Sequence, residues 1–337
     1  SFHLRATNLF QNIVLLRLPK KNKNNSQKNR KYYHLIISTS RGFQMALVDL
    51  EYDLDEALKR ENLSRDDLSK LREPPIPGVP TNITDKQLAH FLNACGKVEE
   101  ARKVIKIYYE ARKNSPELFS GRDPNRNEVQ KCLQSQDYFY LPLNPQGYHV
   151  VFHRLSDYKI SSYHFENAIR TYFMLVDTCL SKQGPRPGII FLFDMKGVSL
   201  GHLTRVRIST IRKFFHYVQE GLPAKLSAIH VLNVVSFFDK VLALIKPFMK
   251  AEILKVLHLH NSDLKMEEFY EKYIPRSSLP SDFGGDCPSV AEMHEAFTKE
   301  LLGMKDYFLS DDRMIYGDEK VEKAEEVEHK FTKLEID

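Results

Sequence analysis

The run Gly188-Ile-Ile-Phe-Leu-Phe193, closed by Asp194, constrains this chain more than any other feature. A strand with one wet face alternates apolar and polar residues. A continuous apolar run this short is a strand buried on both faces, the pattern of a parallel sheet covered by helices. Its surroundings repeat the theme. Tyr148-His-Val-Val-Phe152, Ala228-Ile-His-Val-Leu-Asn-Val-Val235 and Lys255-Val-Leu-His-Leu-His260 also read as strands. Between them lie helical periodicities. One runs from Phe165 through Ile169, Phe173 and Val176 to Leu180, and another covers about 203–219 and is closed by Gly221. Strand–helix–strand repetition predicts an α/β domain with crossover helices.

Ahead of it the texture is helical. Leu54, Leu58 and Leu63 suggest one helix, and Leu68 and Leu71 another. Arg72–Pro80 then breaks regular structure with four prolines. Thr84-Asp-Lys-Gln87 has the spacing of a capping box, in which Thr and Gln side chains satisfy free N–H groups at a helix start. A further helix is expected over 98–113, with Ala101, Val104, Ile105 and Tyr108 on one face. The predicted organisation is a leader over 1–44, a helical module over 45–125, an α/β domain over 135–310 and a charged tail over 311–337.

The net charge of +5 belongs to the leader. Residues 1–44 hold nine Lys and Arg and no acid, whereas 45–337 carry 40 basic against 44 acidic groups. A mildly acidic body argues against a nucleic-acid partner. The leader reads two ways: as a basic, acid-free transit segment, or as an extension ahead of a start at Met45, since Lys20–Lys31 has no apolar face. No stretch approaches the roughly 18 apolar residues of a membrane span, so membrane contact is expected to be peripheral and transient. Cys95, Cys132, Cys179 and Cys287 are scattered without a Cys-x-x-Cys pair, which fits a reducing cytoplasm and neither a disulfide scaffold nor structural zinc.

Signals for catalysis are weak. Neither Cys95 nor Cys179 has the Arg that a Cys-x5-Arg phosphatase loop needs, and no Gly-x-Gly-x-x-Gly or P-loop pattern occurs. His258 and His260 share one side of a strand, but zinc needs one or two more ligands. Asp194 has no evident catalytic partner. No enzyme, cofactor or metal is expected.

From Phe237 to Met249, apolar doublets recur every three or four residues, and Asp239, Lys240, Lys246 and Lys250 take other positions. Alone, such a helix packs on a sheet or covers a cavity. The ordered stretches IIFLFDMKG, LPAKLSAIHVLNV, FFDKVLALIKPFM, VLHLHN and YIPRSSLPSDFGG, preceded by TDKQLAHFLNACGKVEEARKVIKIYYEARKNSPELF, resemble the CRAL-TRIO (Sec14-like) family over residues 50–310. LPSDFGG (Leu279–Gly285) matches its closing motif. The resemblance is nearest the branch that holds the alpha-tocopherol transfer protein and cellular retinaldehyde-binding protein.

That resemblance implies a mostly parallel sheet floor, flanking helices and a mobile gate helix, Phe237–Met249, over an apolar cavity. It implies carriage of a hydrophobic small molecule (a retinoid, a tocopherol-like or another lipid) between membranes by a monomer without catalysis. The alternative is a lipid-sensing interaction module without net transfer. Matching pocket positions are Thr171, Leu175, Ile189, Phe193, Val218, Leu226, Ile229, Phe238, Val241, Leu242 and Ile245, with Thr171 the single polar one. Covering about 300 Å² of ligand at about 25 cal/mol/Å² gives about 7 kcal/mol before entropy costs. The branch also binds phosphoinositide head groups beside the gate. Lys225 matches that patch and Lys250 and Lys255 lie near it, but Cys95, Ser227, Glu252 and Val256 stand where the branch has basic residues, which weakens the expectation.

Overall fold

A computed structural model describes residues 48–317. The leader over 1–44 and the tail beyond 317 lie outside the described residues.

The chain opens with helices α1 (Leu54–Glu61), α2 (Arg65–Arg72), α3 (Asp85–Cys95), α4 (Val98–Lys113) and the short α5 (Pro116–Phe119). Asp53 and Ser64 cap the first two through their side chains, and Thr84 and Gln87 form the expected capping box on α3. These caps place each helix start where the sequence puts an Asp, Ser or Thr before a leucine stripe. Helix α6 (Asn127–Ser135) then leads into the sheet.

Five strands follow in spatial order β1 (Gln136–Tyr140), β2 (His149–Leu155), β3 (Ile189–Asp194), β4 (Leu226–Leu232) and β5 (Leu257–Leu259). β1 is antiparallel to β2, and β2 to β5 are parallel. The expected mostly parallel sheet is present, and its apolar run is the central strand β3, whose side chains are nearly all buried. β1 is the strand that the apolar pattern does not announce. It is a polar-aromatic edge, and its outward Tyr138 N–H donates to His294 Nδ1 at 3.1 Å. His294 sits on α13 (Val290–Gly303), which covers that edge.

Space order equals chain order, so each parallel crossover steps the same way. Right-handed connections then place α7 (Phe165–Gln183), α9 (Ile208–Glu220) and the segment after β4 on one face. That segment is α10 (Phe238–Ile245), a 3₁₀ turn (Lys246–Phe248) and α11 (Ala251–Lys255). Between β3 and α9 lies the single-turn helix α8 (Leu200–Leu203). The opposite face carries α12 (Met266–Lys272) and the Leu279–Gly285 motif, where Phe283 packs edge-on against Phe152 of β2 with centroids 5.7 Å apart.

Helix α14 (Lys305–Tyr316) corrects the expected boundary at 311, because it runs through the start of the predicted charged tail. Asp311 and Asp312 are buried, not solvated. Arg112 of α4 binds Asp177 of α7 at 2.8 Å and Asp311 at 3.2 Å. Arg122 binds Asp177 at 2.9 Å, Asp312 at 2.6 Å and also Asp311. This hub fastens the helical module, α7 and α14 together. Sequence reading sees only an acidic pair, because its partners lie about 190 residues away.

Candidate functional site

A cavity of about 320 Å³ lies between the sheet and the helices of the crossover face. Its floor is made of alternate strand residues: His153 and Leu155 of β2, Phe191 and Phe193 of β3, Ile229 and Val231 of β4, and Leu257 of β5. Period-two alternation puts these side chains on one face. One wall is the α7 stripe Phe165, Ala168, Ile169 and Tyr172, and the other is Ile211, Phe214 and Phe215 of α9. Phe238, Val241, Leu244 and Ile245 of α10 close the roof.

The cavity occupies the carboxyl half of the strands. Crossover helices run antiparallel to strands, so the amino-terminal halves of α7 and α9 face it. This sorts the predicted pocket residues. Phe193, Ile229, Phe238, Val241 and Ile245 line the cavity, whereas Leu175, Ile189, Val218, Leu226, Leu242 and Thr171 do not. Ile189 and Leu226 begin their strands, and Leu175 and Val218 lie a turn beyond the lining residues of their helices. At that amino end the space is filled: His149 Nδ1 lies 2.8 Å from Gln183 Oε1 and 3.5 Å from the Cys179 thiol. Thr171 is buried off the α7 stripe, its hydroxyl beside the Cys132 thiol. Leu242 is half-buried on the flank of α10.

Besides Asp194 at its edge, the polar groups of the lining are four rings that periodicity could not have singled out. His153 Nε2 lies 2.8 Å from Gln136 Oε1, its Nδ1 has no hydrogen bond within the described residues, and its ring is 6.1 Å from that of Tyr172. Tyr163 and His202 form a second pair with centroids 5.5 Å apart. The Tyr172 hydroxyl and His202 Nε2 are buried without a partner. Burial pushes the His153 imidazole down to about 4 and raises the phenols, so all four rings are neutral near pH 7. No Lys or Arg reaches the lining.

Three groups weighed for chemistry find structural roles. Asp194 Oδ1 accepts from the Lys196 N–H at 2.9 Å and the Asn233 amide at 2.8 Å, clamping two loops. His258 and His260 do share a face, as predicted, stacked on His230 with centroids 4.8 and 5.3 Å away. His230 Nδ1 and His260 Nε2 lie 3.0 Å apart and share a hydrogen bond, and among the described residues no three His, Cys, Asp or Glu groups could hold a metal. Gly197-Val-Ser-Leu-Gly201 does have the Gly-x-Ser-x-Gly spacing of a nucleophile elbow, which corrects the expectation from sequence that no such elbow occurs. Ser199 Oγ lies 2.9 Å from His202 Nδ1. Yet Ser199 has extended backbone (φ −125°, ψ 166°), the pair is the capping box of α8, and no carboxylate holds His202 Nε2.

The gate segment is lightly tied. Of α10 only Phe238 is buried. At its far end Gln219 of α9 donates from Nε2 to the Phe248 carbonyl at 3.0 Å and accepts at Oε1 from the Lys250 N–H at 2.6 Å. Lys250 also pairs with Glu220. Lys225, Lys250 and Lys255 are all exposed. Lys225 and Lys255 precede β4 and β5, and Lys250 meets the end of α9, so the three share the rim at the amino ends of the strands. They stand outside the cavity. No helix among the described residues is long and apolar enough to cross a membrane.

Comparison with known proteins agrees with this architecture. A family model described as the CRAL/TRIO domain matches residues 134–285, the sheet and the gate, and one described as a Pinta-like UBA domain matches residues 62–129 of the helical module. The alpha-tocopherol transfer protein-like protein of Homo sapiens is 30% identical over 239 residues, which are 70% of this chain and 68% of that protein. Clavesin-1 of Xenopus laevis is 20% identical over 198 residues, 56% of this chain and 57% of that protein. A structure titled "Crystal structure of Sfh5" aligns over 72% of this chain and 93% of that one, with a TM-score of 0.45 and 14% identity. With 30% identity over more than two thirds of a relative, and a matching domain that spans the strands, crossover helices and gate described above, the chain belongs to the CRAL-TRIO family.

Proposed function

We propose that this protein carries one hydrophobic small molecule between membranes, and that the segment around α10 opens to admit and release it. Members of the CRAL-TRIO family bind lipids, and the names of the matched relatives include a tocopherol transfer protein-like protein. The observation that carries the reading is the roof: the apolar stripe of α10 is also the lid of an otherwise apolar cavity. A lipid-exposed α10 and a closed α10 then bury the same side chains against different partners, which makes exchange at a bilayer inexpensive.

The lining sets the ligand class. A volume of about 320 Å³ suits a single-chain or ring-and-tail molecule, a retinoid, a tocopherol-like or another such lipid, near the lower end of the roughly 300–1,000 Å³ of small-molecule sites. An ionised head group would enter without a cation and lose several kcal/mol of hydration. A hydroxyl or carbonyl oxygen instead finds His153, Tyr163, Tyr172 and His202. The Thr171 hydroxyl, expected to orient a head group, has no such access. Phosphoinositide contact, where it occurs, falls to Lys225, Lys250 and Lys255, with phosphate displacing Glu220 from Lys250. We place the carrier in the cytoplasm as a monomer, in keeping with its four free cysteines.

Native mass spectrometry of protein isolated from its own source, followed by solvent extraction, tests the reading. One neutral lipid per chain that moves from donor to acceptor vesicles is expected. A bound lipid that never transfers would replace carriage with lipid sensing. A cavity that takes up nothing from a lipid panel would end the lipid reading altogether.

A further inference from the structure

The seam where the helical module meets α7 and α14 holds a further and much smaller cavity, of about 30 Å³. Gln87 and His90 of α3, Tyr108 and Tyr109 of α4, Asp177 of α7 and Tyr307 of α14 are among the residues that line it. The large cavity is walled almost wholly by hydrocarbon. This one is walled in good part by groups that can donate or accept a hydrogen bond.

Most of those groups have no protein partner. His90 is 4% exposed, and its Nε2 is buried without a hydrogen bond. The Tyr52 ring packs edge-on against the imidazole with centroids 5.3 Å apart, which fixes the direction of that nitrogen. The hydroxyls of Tyr108, Tyr109 and Tyr307 make no hydrogen bond with any described residue, although none of the three residues is more than 7% exposed. Gln87 gives its Oε1 to the Thr84 N–H at 3.0 Å in the capping box of α3, so its amide N–H groups are the free end. Asp177 is the exception, because Arg112 and Arg122 already hold its carboxylate. The imidazole is neutral, since burial pushes it down to about 3.

We propose that this cavity is a hydration site, in which ordered water joins His90 Nε2 and the module's free phenols to the Tyr307 hydroxyl and so docks the helical module on α14. Polar groups buried at a dry seam would forfeit their hydrogen bonds with water and gain none in return. A water needs about 10–15 Å³ of such space and makes about three hydrogen bonds, so the cavity admits one water or two and nothing larger. Neutral donors and acceptors that face one another without touching are what a bridging water satisfies. The Arg112–Arg122 hub fastens the same seam by charge, and water completes it where the hub does not reach. The inference is independent of the carrier reading, because this cavity lies outside the lining of the large one.

Denaturant titration of the full chain carrying Tyr307→Phe tests it by the sign of the change. The substitution deletes one hydroxyl and keeps the ring. If water holds that hydroxyl, the folding equilibrium constant falls about fivefold (about 1 kcal/mol). If the seam is dry, the variant sheds an unsatisfied polar group and is as stable as wild type or more so, which overturns the proposal. Deuteron magnetic relaxation dispersion supplies a readout that does not depend on stability. It counts long-lived internal waters, and wild type should hold at least one more than His90→Phe. Equal counts overturn the proposal. A crystal structure should place a water within hydrogen-bonding distance of both His90 Nε2 and the Tyr307 hydroxyl. An alkali cation held on Asp177 at that place, or no ordered density, overturns it as well.

Discussion

Gln219 is the side chain on which gate kinetics should turn. It does not line the cavity and makes no contact that a ligand could feel. Its amide joins α9 to the segment after α10, donating to the Phe248 carbonyl at 3.0 Å and accepting from the Lys250 N–H at 2.6 Å. Gln219→Ala removes both bonds, together with the Nε2 bond to the Phe215 carbonyl, which lies within α9 and does not bear on the gate. The freed backbone groups are accessible enough for water to replace the side chain, so each bond counts at its net value of about 1 kcal/mol, not the cost of a stranded buried group. The adjoining Lys250–Glu220 pair is largely exposed and adds little. The closed gate then loses about 2 kcal/mol relative to the open one, about a 30-fold shift in their ratio. If the closed form dominates by more than this in the wild type, it still dominates in the variant. Affinity then hardly changes, while uptake and release both accelerate by up to that factor. Stopped-flow transfer of the extracted ligand from loaded protein to acceptor vesicles reads the rates, and equilibrium titration reads the affinity. Release within twofold of wild type would show that the Gln219 amide does not hold the gate. Weaker binding with unchanged kinetics would mean that the segment after α10 shapes the cavity and does not guard it.

Two further outcomes follow from buried charge. Asp177→Asn leaves Arg112 and Arg122 buried with one balancing charge fewer, so unfolding free energy should fall by about 3–5 kcal/mol in a denaturant titration; a loss under 1 kcal/mol would mean that the hub relaxes into water. Acid should also destabilise the fold. Burial holds His90 and His230 down at about 3 and His149 at about 4, against 6.5 in the unfolded chain. The fold thus disfavours their charged forms: the stabilisation is whole above pH 6.5 and drains as pH falls towards 4, at up to about 1.4 kcal/mol per pH unit for each histidine. Denaturant titrations at pH 7, 6 and 5 check this, and a flat profile across that interval would remove these imidazoles from the core.

What the sequence reveals about this molecule depends on the range over which a signal acts. Period-two and continuous apolar runs disclose β2 to β5, because burial of a strand is written in its own residues. The Thr84–Gln87 cap places α3 for the same reason. β1 escapes such a reading: Gln136 and Asp137 open it, and its place in the sheet is fixed by Arg154 across the ladder, 2.7 Å from Asp137, and by His294 from far along the chain. The hub escapes more completely, since nothing local distinguishes Asp311 and Asp312 from solvated acids.

The cavity shows where resemblance itself stops. Correspondence with the family identifies the right strands and helices, but not how far along them the empty space extends. That boundary is a packing outcome. The lid reaches from the carboxyl end of β4 back to Gln219, and beneath its far end the His149, Cys179 and Gln183 side chains already occupy the space between α7 and the sheet. Leu175, Ile189 and Val218 therefore pack as core with the half-buried Leu226 against them, whereas Phe193, Ile229 and Val231, a few residues along the same sheet, face open volume. The unpartnered Tyr172 hydroxyl and His202 Nε2 fall on the open side of that boundary. Unpartnered buried groups also occur on the filled side, His149 Nε2 and the Thr171 hydroxyl among them, each at a cost of about 1–3 kcal/mol. What sets the Tyr172 and His202 groups apart is only their place in the lining of a cavity without Lys or Arg, where an occupant with one neutral oxygen of its own would satisfy them.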